Sequence, residues 1–517
     1  MPNAPLANRY GRHHGRVIRV VVAVVSATAG GPAGLTAADH PREACGVFGV
    51  WASAQHVAKL VFYGLYALQH RGQESAGMAV GDGRSLLVYK DMGLVSQVFD
   101  ETTLQTLQGH LAIGHTRYST TGASCWENAQ PAFKTSAAGG GIAVAHNGNL
   151  TNTAALATRV IPQQSPRTGL AKARPGVEAS SDTDLIGELL AREAAPRLEE
   201  AILRTLPRLE GAYSLVLMDE HTVYGVRDPQ GFRPLVLGTL PGGWVIASET
   251  AALDIVGAAF VREVEPGELV AIDERGLRSR RFAEPDPHLC VFEYVYLARA
   301  DSTLAGRSVH QVRRQLGAAL ATEAPVDADL VIPVPDTATS AAAGFAEASG
   351  IPFGEGLMKN RYVGRTFIQP SQTMRRLGIR IKLNPLREAI RGRRLVVVDD
   401  SIVRGNTTKA IVGMLREAGA AEVHLRITSP PVRWPCFYGI DIPTRRELIA
   451  SDLASDEIAA YVGADSLAYL SLQALLATAQ RDGRGLCSAC FTGNYPLPVH
   501  GDGATFAAAD RPDLVTT

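Results

Sequence analysis

Cysteine is scarce in this chain. Six cysteines scattered over 517 residues are too few for the disulfide framework of a secreted protein of this length. They are left free to be catalytic or metal-binding, and the cytoplasm is the expected compartment. An excess of either charge is also missing, since Lys+Arg and Asp+Glu number 51 each. A nucleic-acid or membrane-surface protein would need a basic surplus, so neither partner is expected, and any phosphate must be held by a local site. No apolar run is long enough to span a membrane; Val17–Val25 is far too short and is broken by Arg19. What the chain does have is apolar substance, 46% of residues, enough to build the cores of two or three domains.

Residues 1–44 differ from everything after them. "RYGRHHGRVIRVVVAVVSATAGGPAG" runs from basic to apolar to small and Gly-rich, the outline of a secretory signal. The approach "REAC" lacks the small apolar residues expected before a lipid-anchored cysteine. A leader that is removed, or one read from too early a start, is the expectation. From Cys45 to about 275, short strands with Gly and Asn turns alternate with a few helices, which predicts an α+β layer fold. In "SSDTDLIGELLARE" a Ser and an Asp precede an apolar stripe at Leu185, Ile186, Leu189 and Leu190, so a capped helix is expected there. Residues 156–179 read as a surface loop and 276–325 as a join. Between 326 and 480, strand–helix–strand alternation predicts an α/β domain with a parallel sheet. Residues 481–517 hold a CxxC pair and a loose tail.

The most specific string is "VVVDDSIVRGNTT", residues 396–408. A β-branched strand stops at Asp399 and Asp400, and a Gly/Thr turn then opens a helix. Ligands of parallel sheets sit at the strands' carboxyl ends, and a helix N-terminus with small residues cradles phosphate. The string is therefore built for a sugar phosphate, with Arg404, Gly405, Thr407 and Thr408 at the phosphate. Asp399 and Asp400 serve the ribose hydroxyls or Mg²⁺. The bland alternative is an acidic strand end followed by a helix cap. The whole string resembles the signature of the type I phosphoribosyltransferases, which bind phosphoribosyl pyrophosphate. Two segments agree with it. "PVPDTATS" is a second strand-to-helix loop, which the resemblance assigns to pyrophosphate and metal, with Thr337 at the metal. "MKNRYVGRTFIQPSQTMR" concentrates Lys359, Arg361, Arg365 and Arg375, a composition suited to a basic lid. Alone, that segment would read as a solvated charged loop.

Cys45 opens a second set. A thiol is a weak nucleophile until a base removes its proton. Cutting the chain before Cys45 would create an α-amine of ordinary pKa about 7.7–8.0 as that base. An isolated cysteine is more often inert packing. In order, "EACGVFG", "LQHRGQESAG", "GHTRYSTTG", "AHNGNL" and "SSDTD" resemble the N-terminal-nucleophile glutamine amidotransferase domain, an αββα fold. The opening is one residue looser than the family's. The resemblance implies that Cys45 attacks the glutamine amide, Arg117 pairs with the substrate carboxylate and Asp182 holds its ammonium. Asn147 and the N–H of Gly148 form the oxyanion hole. His115 and His146 are then structural.

Together the halves resemble the amidophosphoribosyltransferase family from Cys45 to about 495. That implies glutamine and phosphoribosyl pyrophosphate as substrates and one Mg²⁺ per subunit at Thr337, Asp399 and Asp400. Purine nucleotide feedback and a homotetramer are further expectations of the resemblance. Cys290, Cys436, Cys487 and Cys490 supply four thiols, whose spacing alone fits either zinc or an iron–sulfur cluster. The propeptide-bearing branch of the family carries one [4Fe–4S] cluster per subunit on such cysteines. Cys125 is left over and is expected to be inert. Two rivals remain. A hexosamine-phosphate amidotransferase would lack "VVVDDSIVRGNTT". A phosphoribosyl-pyrophosphate-sensing regulator would have no need to keep Cys45, Arg117, Asn147 and Asp182 together.

Overall fold

The computed structural model describes residues 12–13, 16–17, 45–118, 124–160, 181–360, 381–442, 444–480 and 485–499. The leader around the expected cut, most of the 156–179 loop, and Arg361, Arg365 and Arg375 of the basic segment lie outside them.

The first half is two antiparallel sheets face to face. One has seven strands in the order Ala259–Glu263, Val236–Leu240, Gly243–Ala247, Gly46–Ala52, Leu111–Arg117, Ser75–Gly81 and Leu86–Met92. The other has six, ordered Gly276–Arg281, Glu268–Asp273, Val223–Arg227, Gly211–Met218, Gly141–Leu150 and Ala132–Thr135. Both faces of the central strands are covered, so they read as continuous apolar runs rather than alternating ones. In Gly46–Ala52, Val47 points into the core between the sheets with Ile113, Ala145 and Val216. Phe48 and Val50 point the other way, into a core shared with Val61 and Leu65 of the helix Val57–Ala67. Over the second sheet lies the helix Asp182–Arg192, whose expected stripe Leu185, Ile186, Leu189 and Leu190 is buried. Its cap is Ser181, whose Oγ accepts from the Asp184 N–H at 3.2 Å. The layers are thus αββα.

The second half holds a parallel sheet of Leu330–Pro333, Arg394–Asp399, Glu422–Ile427 and Ser466–Tyr469. Helices Val309–Glu323 and Thr339–Ser349 share a core on one face. Asn406–Glu417 and Ser455–Val462 cover the other. The segment 276–325 divides its contacts. Gly276–Arg281, a strand of three arginines whose polarity hides it from pattern reading, edges the six-stranded sheet, whereas Val309–Glu323 belongs to the parallel sheet's cover. The helix Thr153–Val160 also runs into the stretch expected to be loop. Among the described residues no helix is long and apolar enough to cross a membrane.

Candidate active sites

Cys45 immediately precedes the middle strand of the seven-stranded sheet. The register Gly46↔Thr116 sets it beside Arg117 at the end of the neighbouring strand. Its Sγ donates to the Tyr118 carbonyl at 3.4 Å. Burial pushes the thiol up to about 11, against the opposing pull of the Tyr118 backbone and the Arg117 guanidinium. The thiol therefore does not ionise by itself near neutral pH, and any attack by it needs a base.

Asn147 and Gly148 lie on Gly141–Leu150, in the facing sheet. His115 joins the two levels, because its Nε2 donates to the His146 carbonyl at 3.0 Å. Burial drives His115 down to about 3, so it stays a neutral spacer. The Asn147 side chain is fully buried, and neither its Oδ1 nor its Nδ2 finds a hydrogen-bond partner among the described residues. An orphaned carboxamide is costly unless something arrives to satisfy it. Gly148 has φ +147°, and a Cβ there would lie 2.1 Å from the Ala212 carbonyl oxygen, so only glycine fits. Asp182 sits at the first turn of its helix, with Oδ2 3.3 Å from the Leu150 N–H and 3.5 Å from His146 Nδ1. Burial would raise its carboxyl, but the His146 charge and these hydrogen bonds hold it below the usual range. His146 is correspondingly raised by Asp182 despite burial, and its Nε2 faces the Ala212 carbonyl at 3.2 Å. Cys45 feels both the Arg117 and the Asp182 charge, and all three side chains are buried.

In the second half, adjacent parallel strands end side by side, Pro333 opposite Val398. The loop bearing Thr337 therefore faces the one bearing Asp399 and Asp400. Asp399 Oδ1 accepts from the Asp400 N–H at 2.9 Å, while Oδ2 is buried with no partner among the described residues. Burial, then the adjacent Asp400 carboxylate, raises Asp399 well above the carboxylate range. Asp400 is steadied by the Ser401 hydroxyl at 2.7 Å. An orphaned hard oxygen beside a second carboxylate fits a divalent cation or ribose hydroxyls. Gly405, at φ +79°, turns the chain into the helix Asn406–Glu417, with Thr407 in its first turn and Thr408 buried behind it. Arg404 Nη2 is paired with Glu447 at 2.5 Å, and Lys359 Nζ with Asp336, next to Thr337, at 2.5 Å. Lys359 ends a strand paired antiparallel with Leu383–Pro385, so the basic segment leaves and returns at this rim.

The four late cysteines come together from three places. Cys290 and Cys487 are register partners on two short parallel strands, and Cys490 lies in the helix Ala489–Thr492. Cys436 completes the group, because Cys490 is perturbed by all three others. None is in a disulfide. Burial and the neighbouring thiols raise Cys290 to about 12 and push Cys487 and Cys490 well above the ordinary thiol value, although Arg233 opposes this at Cys290 and Cys487. Among the described residues no three Cys, His, Asp or Glu converge closely enough to hold a single metal ion. A tetrahedral zinc would need sulfurs about 3.8 Å apart, given Zn–S distances of about 2.3 Å. Four thiols are donors of the kind that zinc and an iron–sulfur cluster both take.

Pattern reading missed the charges buried between the halves. Arg71 pairs with Glu249 and, at 2.6 Å, with Glu293; Arg233 reaches Glu293 at 3.2 Å and the Tyr438 carbonyl at 2.8 Å. All four charged side chains are fully buried. Single Arg and Glu residues in apolar text carry no periodic signal, and only their mutual distances identify them. Glu447, the partner of Arg404, was missed for the same reason.

A family model described as a glutamine amidotransferase domain matches residues 115–254. A Mycobacterium tuberculosis protein (strain ATCC 25618 / H37Rv) called amidophosphoribosyltransferase is 62% identical over 467 residues, 89% of this chain and 88% of the relative. The Bacillus subtilis (strain 168) protein of the same name is 46% identical over 466 residues, 89% and 96% of the two chains. A solved structure described as the allosteric regulatory enzyme of purine biosynthesis superimposes with TM-score 0.81 at 45% identity, covering 89% of this chain and 98% of that one. The glutamine phosphoribosylpyrophosphate amidotransferase of B. subtilis, solved with ADP and GMP, does so with TM-score 0.80 at 45% identity, covering 89% and 99%.

Proposed function

The chain belongs to the amidophosphoribosyltransferase family, and on that premise we propose an assignment of its residues to the reaction. The enzyme converts glutamine, phosphoribosyl pyrophosphate and water into 5-phosphoribosylamine, pyrophosphate and glutamate, the first step of de novo purine synthesis. It is a pentosyltransferase with glutamine amidotransferase activity.

Cys45 is the nucleophile, and its own α-amine, exposed by removal of residues 1–44, is the base. The raised thiol supports this, since the cysteine is inert until a base is made beside it. Arg117 and Asp182 hold the two charged ends of glutamine. The tetrahedral oxyanion falls to Asn147 Nδ2 and the Gly148 N–H. Water then cleaves the thioester to glutamate. The released ammonia stays inside the protein, unprotonated, until it meets C1 of the ribose. Asp399 and Asp400 hold the ribose. Arg404, Gly405, Thr407 and Thr408 hold its 5-phosphate, and Lys359 and Arg361 hold the pyrophosphate. Thr337, Asp399 and Asp400 would hold Mg²⁺, which when bound neutralises charge on the departing pyrophosphate.

Cys290, Cys436, Cys487 and Cys490 would hold a [4Fe–4S] cluster, a structural staple between the tail and the body. Purine nucleotide feedback and a homotetrameric, cytoplasmic enzyme complete the reading. The observation that carries it is a pair of buried polar groups with no partner among the described residues, the Asn147 carboxamide and Asp399 Oδ2, one in each candidate site.

Three measurements test it. Glutamine-dependent phosphoribosylamine synthesis must require phosphoribosyl pyrophosphate, and the active chain must begin at Cys45 by N-terminal sequencing. Activity with residues 1–44 still attached would remove the terminal-amine base. Anaerobically prepared protein should be brown with about four irons per chain; stoichiometric zinc without iron would overturn the cluster.

A further inference from the structure

The segment Cys436–Gly439 crosses from the second half to the oxyanion strand of the first. The Phe437 carbonyl accepts from Asn149 Nδ2 at 3.0 Å. Gly439, at φ +94°, lies so near Gly148 that a Cβ on it would stand 3.0 Å from the Gly148 Cα and carbonyl carbon. Between them, the Tyr438 ring stacks on Phe232 with centroids 4.3 Å apart, and its carbonyl accepts from Arg233 at 2.8 and 3.2 Å. Its hydroxyl donates to the Leu497 carbonyl at 2.9 Å. Every residue from Phe437 to Gly439 is therefore fixed, and two of the three bear directly on Gly148–Asn149. Gly148 already has its other side against the Ala212 carbonyl. Its N–H can point where an oxyanion forms only if both neighbours stay in place.

We propose that Phe437–Gly439, a piece of the second half, positions the oxyanion hole of the first, with Gly439 and the Phe437–Asn149 hydrogen bond as its positioning contacts. This rests on reading Asn147 and Gly148 as the oxyanion donors. The mechanical consequence is that the glutaminase donors are set by a segment that begins at one of the cluster cysteines. Arg117 lies on its own strand and Asp182 on its own helix; Asp182 meets the oxyanion strand only through the Leu150 N–H and His146, and the strap touches neither of these. Donors that act on the oxyanion are felt in the transition state, so a displaced strap should lower kcat and leave KM alone.

The experiment compares three variants of the full-length enzyme, Gly439→Ala, Asn149→Ala and the reference Asn147→Ala. Each is assayed with glutamine and with ammonium salt, alongside thermal unfolding and iron content. Asn147→Ala should lose about 10²–10³ in glutamine-dependent kcat, as removal of an oxyanion donor does. Gly439→Ala should lose about 10-fold, less than the 10²-fold of a full 1 Å misplacement, because its Cβ asks for a shift of only a few tenths of an ångström. Asn149→Ala should lose less. In both, glutamine KM, ammonia-dependent synthesis and iron stay at the parent values, a split that general destabilisation would not produce; Gly439→Ala also lowers the melting temperature, because a Cβ at φ +94° is strained, whereas Asn149→Ala does not. If Asn147→Ala falls while both strap variants match the parent, the strap idea is wrong and the oxyanion assignment stands. If Asn147→Ala is silent, the oxyanion assignment fails and the strap with it. An equal fall of the glutamine and ammonia reactions in Gly439→Ala would also overturn the proposal, since Gly439 would then serve the second half. Should Gly439→Ala not fold, Asn149→Ala decides by the same split.

Discussion

The two candidate sites are built in opposite ways. The candidate glutamine site draws Cys45, Arg117, Asn147 and Asp182 from four elements spread along the first half, and all four are buried. The sugar site takes most of its residues from one continuous loop, 399–408, at the open end of a parallel sheet. The first is preformed, with a carboxamide already waiting without a partner among the described residues. At the rim of the second, Arg404 is neutralised by Glu447 and Lys359 by Asp336, carboxylates that an arriving phosphate must replace. The ammonia released at the first site must be kept from bulk water, which would protonate it, whereas a highly charged sugar needs an entrance. The architecture follows that difference in chemistry.

The largest effect expected is a clean separation of the halves. Cys45→Ala should abolish glutamine-dependent synthesis, because no other group in the first half forms the thioester, and should spare synthesis from ammonium salts at high pH. Loss of both routes in folded protein would break the contrast between a supplying site and a consuming one. Next comes Asp400→Asn. Removing a charge worth several kcal/mol to a bound cation and its leaving group should cost about 10²-fold or more with either nitrogen source. A loss confined to glutamine would mean the carboxylate serves the other half.

These contrasts also explain what could be read in advance. A loop that carries its whole site in sequence order is legible as a string, and "VVVDDSIVRGNTT" was. The dispersed site had to be assembled from short strings whose order, not spacing, gave it away. The α+β character of the first half and the parallel sheet of the second were legible because buried strands are apolar runs and Ser181 caps a striped helix, whereas the αββα layering came from the resemblance. The contacts between halves were not. Gly439 touches Gly148 and Phe437 bonds Asn149 across almost 300 positions, and nothing in "CFYGID" announces a partner so far away. Arg361, Arg365 and Arg375 of the basic segment and most of the leader lie outside the described residues.

The third expected effect is on stability. Arg71 lies where the halves meet and satisfies Glu249 and Glu293, which have no water to turn to. Burial opposes ionisation of Glu249, and the Arg71 charge holds its carboxyl well below the usual range. Sign follows from this: a carboxylate lowered in the fold contributes stability at pH values above its unfolded pKa, and that contribution is lost on acidification. Arg71→Met should leave Glu249 to His70 and the Ser302 hydroxyl and Glu293 to Arg233 alone, and cost about 3 kcal/mol, measured by chemical unfolding at neutral pH. The deficit should shrink as pH falls below about 4, where the carboxylates of the unfolded chain take up protons. A deficit that stays constant with pH would mean that Arg71 contributes packing rather than charge.

The smallest effect sharpens the contrast most, because it probes the rim directly. Arg404 belongs to the proposed phosphate loop, yet its guanidinium is held by Glu447 through Nε at 2.9 Å and Nη2 at 2.5 Å. Glu447 is 41% exposed, so this pair is screened by water and is worth about 1 kcal/mol at most. Ligand binding has to replace it, and Glu447→Gln removes the competing charge while keeping the side chain's length. The Michaelis constant for phosphoribosyl pyrophosphate should fall by up to about five-fold, which is that energy expressed as affinity. Added salt should erase the difference, because salt weakens the pair in the parent enzyme too. Glutamine KM and ammonia-dependent kcat should not move, since Glu447 touches neither nitrogen source nor the ribose carboxylates. A rise in the phosphoribosyl pyrophosphate constant would reverse the role of this pair. Glu447 would then be aligning Arg404 for the phosphate rather than competing with it, and the second site would be as preformed as the first.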